Sequence, residues 1–241
     1  MNKLILTLIL CACSFPVHAD EKEARSILQR AIRAAGGERS LNRFKAPMMW
    51  MEKGTYHGMG KSQPYLGQYS SKWPNWYRQE IEGVFVSTVS GEHAWSKTQG
   101  KVTKLEGAQL KEKLKENRMF WAWRLFPLKD QAYQLSTAEG VEVNGRPTAG
   151  LKVTHKNGGE CRLYFDKTSM LLVKSSMMLS PTPGAKPAQS QIYFSNHRGF
   201  GGSRLPSKMK VYLGGKLLIE AEIIAHKLFA TLDPELFEAP K

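Results

Sequence analysis

The sequence predicts a mainly β (α+β) chain whose strands form one strongly curved antiparallel sheet or barrel, accompanied by two helices. Three patterns point there. After about residue 46, turn signals built on glycine and asparagine cut the chain into β-prone runs of roughly six to eight residues. Ahead of those runs lies one stretch with apolar residues at three- and four-residue spacing. In the middle, a charged segment passes into a cluster of bulky aromatics and stops at Pro127.

Taken in order, Met1-Asn2-Lys3, the short apolar run Leu4 to Ala12 and the small-residue spacing Val17-His18-Ala19 before Asp20 read as a signal peptide over residues 1–19. The run is far shorter than the roughly 20 residues that span a bilayer. A rival reading takes Leu10-Cys11-Ala12-Cys13 as an acylation site, which would leave the protein lipid-anchored through Cys13. Cleavage after Ala19 removes Cys11 and Cys13 and leaves Cys161 alone, so no internal disulfide is expected. The first helix follows, with Ala24, Ile27, Leu28, Ala31, Ile32 and Ala35 on one stripe and Arg25, Arg30 and Arg33 outside it; Gly36-Gly37 stops it.

Turns are then expected at Glu82-Gly83, Ser90-Gly91, Gln99-Gly100, Asn144-Gly145, Asn157-Gly158-Gly159, Asp166 to Ser169 and Gly214-Gly215. They separate roughly a dozen strands, enough for a strongly curved sheet. The last run places Leu217, Ile219, Ala221, Ile223 and Ala225 on one face, with Lys216, Glu220, Glu222 and His226 on the wet one. The middle helix is expected from Ala108 to Leu125, and Pro181 to Pro187 reads as a surface loop. Without a composition break, residues 20–241 form one domain.

A formal charge of +14 favours an anionic partner. Export argues against nucleic acid and leaves an anionic membrane surface or headgroup. Catalytic signatures are missing: there is no GxSxG and no HExxH, and Ser207-Lys208-Met209-Lys210 falls in a strand pattern where S-x-x-K chemistry needs a helical turn. Gly199-Phe200-Gly201-Gly202 reads as a turn rather than a dinucleotide loop. His57, His93, His155, His197 and His226 show no close pair at metal-ligand spacing, and Cys161 reads as a buried, inert thiol. Neither a metal nor a cofactor is expected.

Aromatic placement says more. Trp50, Trp73, Trp76, Tyr77, Phe85 and Trp95 fall in the sheet, while Phe120, Trp121, Trp123 and Phe126 crowd the end of the middle helix. A helix apolar nearly all round at one end is either buried on several sides or covers a greasy cavity as a lid.

Lys72-Trp73-Pro74-Asn75-Trp76-Tyr77-Arg78 followed by Ser90-Gly91-Glu92-His93-Ala94-Trp95 resembles the K-x-P-N-x-x-R and D-G-x-x-x-W strands of the outer-membrane lipoprotein-sorting family, the LolA/LolB-like proteins. Tyr164 to Leu172 is similar to that family's later hairpin, and Pro234 to Pro240 to its closing segment. The resemblance implies a half-open β-barrel whose apolar concave side, covered by helices, holds acyl chains. It makes Trp76, Tyr77, Phe85, Trp95, Phe120, Trp121, Trp123 and Phe126 the candidate groove and lid. The family's periplasmic carriers place an arginine directly before the proline, where it holds the lid shut; Trp73 stands there in this chain. The expected function is an exported, periplasmic, monomeric and non-catalytic carrier or binder of lipid or lipoprotein acyl chains. The alternatives are an envelope interaction or sensor module of the same fold and a hydrolase with an unrecognised site.

Overall fold

The computed structural model describes residues 17–58, 60–180 and 185–240. The expected signal peptide, beyond the backbone of its last three residues, and the Cys13 acylation site lie outside the described residues. Helix α1 (Val17–Ala34) buries the stripe from Ala24 to Ala35, and α2 (Gly37–Asn42) with a 3₁₀ turn (Arg43–Lys45) leads into the sheet. The first strands are β1 (Met48–Tyr56), β2 (Gln63–Lys72), β3 (Trp76–Ile81), β4 (Phe85–Ser90), β5 (His93–Thr98) and β6 (Lys101–Lys104). Helix α3 (Gly107–Ala122) and a 3₁₀ turn (Phe126–Lys129) intervene. Then come β7 (Tyr133–Ala138), β8 (Glu142–Val143), β9 (Arg146–His155), β10 (Glu160–Asp166), β11 (Leu172–Leu179), β12 (Ala188–Phe200), β13 (Ser203–Leu213) and β14 (Lys216–Leu228).

Neighbouring strands are antiparallel, in the order β6-β5-β4-β3-β2-β1-β14-β13-β12-β11-β10-β9-β7, with β8 attached to β9. The ladder has two ends and does not close on itself. At the β7 end, α1 lies over the edge: the Asp20 carboxylate accepts the Thr137 backbone N–H at 2.8 Å and the Thr137 hydroxyl, bonds that pull its pKa below the ordinary carboxylate value. At the β6 end, all four residues are exposed, and Lys101 and Lys104 guard the unpaired backbone against strand addition.

Alternation puts Leu151 and Val153 of β9, Cys161, Leu163 and Phe165 of β10, and Ile192 and Phe194 of β12 on the concave face, where they form one core with α1 and the end of α3. After β14 the chain reaches a last 3₁₀ turn (Pro234–Phe237), and Phe237 packs edge-on against Trp76 at 5.6 Å. Gly36 sets how the helices meet the sheet. Its φ of 109° turns α1 into α2, and a Cβ there would stand 2.3 Å from the Gly202 carbonyl oxygen in the β12–β13 turn.

Two sequence expectations change. The middle helix closes at Ala122, not Leu125: Pro127 lacks the N–H a helix needs, and the chain reverses through Leu125 at φ 64°, with the Phe126 N–H donating to the Arg124 carbonyl at 2.8 Å. On β14, a bulge lies opposite Met51/Glu52, pairing Met51 with Ala225 and Glu52 with Ile223. The extra residue, Ile224, points outward, and beyond it the faces exchange. Ala225 becomes exposed and His226, opposite Trp50, turns inward against Phe200 at 4.6 Å.

Replacing Gly36 by Ala combines a left-handed backbone with a backbone clash, and is expected to destabilise the fold by roughly 2–4 kcal/mol in urea unfolding. Burial, and then the Arg124 cation, lower the His226 pKa to about 4. Because the unfolded imidazole titrates near 6.5, the unfolded state binds more protons between those values, so this residue makes stability fall as pH drops through that window. Comparing wild type with His226→Gln at each pH cancels the other titrating groups, including Glu52 of opposite sign. The variant should lose this part of the acid destabilisation.

Candidate functional site

Helix α3 joins the two ends of the open ladder, and its two halves are held differently. The first half is charged, with Lys115–Glu112 at 2.7 Å and Lys113–Glu116 at 3.2 Å as local pairs. Leu110 and Leu114 pack it on a small cluster of Val89, Ala94, Leu105 and Tyr77 separate from the main core. An open cleft of about 490 Å³ runs beside it, lined by Gly107, Ala108, Leu110, Lys111 and Leu114.

The second half carries the aromatics into the concave side. Trp121 meets Trp73 edge-on at 5.2 Å, and Phe126 closes on Trp73 at 5.3 Å. Trp73, standing where the resemblance expects an arginine, therefore meets the end of α3 and Phe126 through rings. Phe120 lies 4.8 Å from Trp123 and 6.5 Å from Tyr77. Trp123 packs on Phe194 and donates its Nε1–H to Ser175 Oγ at 2.9 Å. The β9–β10 turn clasps the same half: Arg118 donates to the Asn157 carbonyl at 2.9 Å. Two buried polar atoms here, Asn117 Oδ1 and Arg118 Nε, have no hydrogen-bond partner. Each such atom costs about 1–3 kcal/mol, so this half of α3 packs at a polar cost.

Opposite the lid, the inner wall of β1 and β2 is polar at one spot. Glu52 Oε1 accepts from Tyr65 Oη at 2.6 Å and Tyr69 Oη at 2.7 Å, and Gln79 Nε2 reaches Tyr69 Oη at 3.4 Å. The Tyr65 ring fits because Gly54 has no side chain; a Cβ there would lie 2.6 Å from it. Burial raises the Glu52 pKa against the tyrosine bonds that lower it, and the same burial with the nearby carboxylate raises the pKa values of Tyr65, Tyr69 and Tyr77. Trp50 stacks on Tyr69 at 4.9 Å with rings 7° apart.

Arg124, just beyond α3, sets its guanidinium 5.4 Å from the Phe44 ring and 5.6 Å from Trp50. Burial lowers its pKa to about 10, so it stays charged at neutral pH. Reactive groups are few. The Cys161 thiol is buried and pushed up to about 12, which keeps it protonated. Among the described residues, no three His, Cys, Asp or Glu side chains group as metal ligands.

Of the eight expected groove and lid residues, Tyr77, Phe120, Trp121, Trp123 and Phe126 gather in this interior. Phe85 shares the face of Val89 but sits at the far end of β4, opposite Ile81. Trp76 and Trp95 stand on the other face: Trp76 under Phe237, and Trp95 opposite Thr88, which aligns with Arg78. The interior residues that sequence reasoning passed over are Glu52, Tyr65, Tyr69 and Arg124, while His226, expected on the wet face, turns inward. One signal for Glu52 existed, a lone carboxylate two residues from Trp50 in an otherwise apolar strand start.

No protein-family model matches the chain, and no curated protein matches it in sequence. Solved structures do match. A LolA superfamily protein of Nitrosomonas europaea aligns over 89% of this chain and 97% of its own, with TM-score 0.58 and 12% identity. A Vibrio parahaemolyticus domain described as outer membrane lipoprotein-sorting aligns over 90% and 97%, with TM-score 0.58 and 11% identity. A DUF1329 family protein of Desulfovibrio piger aligns over 89% and 97%, again at 0.58 and 11%. The chain has the fold of the LolA-like proteins: one curved, unclosed antiparallel sheet with helices against its concave side.

Proposed function

We propose that the protein is an exported, periplasmic and non-catalytic binder or carrier of lipid or lipoprotein acyl chains, which it takes into the concave side of the sheet beneath α3. One observation carries this reading: the lid's own rings, Phe120, Trp121, Trp123 and Phe126, fill the apolar trough while Asn117 Oδ1 and Arg118 Nε of the helix that bears them lack hydrogen-bond partners. Rings so placed stand in for a ligand's hydrocarbon. An acyl chain replaces them when the helix lifts, and the apolar area stays out of water in both states, so exchange is nearly balanced. The likeness in fold to a domain described as lipoprotein-sorting supports the choice of cargo. A charge of +14 suits delivery at an anionic membrane surface.

The test is titration of the purified protein with a fluorescent fatty-acid probe. Saturable binding at one site per chain is expected, and absence of binding up to the probe's solubility overturns the reading. The lid equilibrium adds a sharper expectation. Ser175→Ala removes the acceptor of the Trp123 bond and destabilises the closed lid by about 1 kcal/mol. Apparent probe affinity should then rise roughly fivefold. Were Ser175 only a core contact, stability would fall and affinity would stay unchanged.

A further inference from the structure

The Arg124 guanidinium makes no hydrogen bond and no ion pair to any described residue, although the side chains of Arg25, Arg43, Arg78, Arg118, Arg146, Arg162 and Arg198 each find an oxygen. This half-buried cation thus has the ring faces of Phe44 and Trp50 beside it and Tyr77 close enough to act on it electrostatically, and its N–H donors stay open to a ligand. Two rings more, Phe200 and His226, continue the enclosure: Phe44 lies 5.8 Å from Phe200, and Phe200 lies 4.6 Å from His226. The buried carboxylate of this wall, Glu52, is occupied by Tyr65 and Tyr69 and forms no ion pair with Arg124. The residue next to Arg124 in the chain, Leu125, is held in a strained γ-turn while its side chain is buried, so the backbone that bears Arg124 is held where α3 ends.

We infer that Arg124 is the headgroup receptor of the interior, and that the ligand is a single-chain amphiphile with an anionic oxygen head, a carboxylate or a phosphate. This deepens the carrier reading and rests on it. A planar guanidinium offers such a head two parallel N–H donors, and the rings beside it lower the local polarity, which strengthens the pair. The acyl tail then runs from Arg124 into the trough that Phe120, Trp121 and Trp123 fill in the closed state. The neutral His226 beside the cation is a second donor for the same head, and holding an anion there would raise its lowered pKa.

Competition against the fluorescent probe tests this on the wild-type protein with palmitate and hexadecanol, equal in chain length and different in head. Palmitate should displace the probe about 10- to 100-fold more tightly, the range expected for hydrogen bonds to a charged group. Arg124→Gln should remove most of that preference while hexadecanol affinity changes less than threefold, and Arg124→Lys should retain part of it. The wild-type comparison stands even where a variant does not fold. Equal affinity for acid and alcohol in wild type overturns the inference and leaves acyl binding intact. Displacement by neither ligand overturns the carrier reading and the inference with it. Lysophosphatidate set against palmitate identifies the head: the tighter of the two names phosphate or carboxylate. Inorganic phosphate alone should not compete at millimolar concentration, and competition by it would mean a free-anion site and overturn the amphiphile.

Discussion

A sheet that curls without closing must hide its concave apolar face with something other than its own strands. Here the strands run from β6 to β7 with no bond between those ends, and the face they enclose is lined by Val, Leu, Ile and Phe. Helix α1 covers the β7 end permanently, through a buried apolar stripe and the Asp20–Thr137 bonds. The remainder falls to α3. The molecule spends its largest rings there, yet leaves Asn117 Oδ1 and Arg118 Nε unsatisfied in the same helix. Burial and polar defect thus oppose each other on one element, which distinguishes it from α1, where the two agree.

The interior is also unusual in what it does with charge. Two ionisable groups of opposite type, the buried Glu52 and the half-buried Arg124, are not paired to each other. Glu52 is answered by tyrosine hydroxyls, and Arg124 by aromatic faces. Joining them would have made an inert structural ion pair, whose desolvation cost offsets most of its attraction. Separated, each keeps unspent bonding capacity facing an apolar space. Such a division of the wall into a buried carboxyl spot and a cationic spot gives the trough a direction.

How far the sequence reaches depends on the range of the interaction that decides each residue. The stripe of α1 is local, and each of its six apolar positions is buried in the structure. Turn positions were local too, since glycine and asparagine act through their own dihedral angles. Faces were harder. Trp76 and Tyr77 are adjacent, so one must face away, and which one does so is settled by Phe237, far along the chain, covering Trp76. His226 was assigned by alternation, and the bulge at Ile224, which no pattern in β14 announces, reversed it. Arg124 was invisible for a related reason: its environment is assembled from Phe44, Trp50 and His226 on three separate elements.

The connection of α3 to both ends of the ladder has a mechanical consequence. A flap hinged at one end swings clear like a door, but a helix tethered to β6 on one side and β7 on the other is a handle. It can roll about the line through its two attachments or arch away from the trough, and it cannot leave. For the proposed carrier, entry would then be sideways, under the handle, and a long cargo need not be threaded end-on. The two attachments are unequal as bearings: Gly107, at positive φ, starts the helix with an unconstrained joint, while the buried Leu125 corner is stiff. Rotation is then concentrated at the charged, lightly packed end, and the aromatic end turns last.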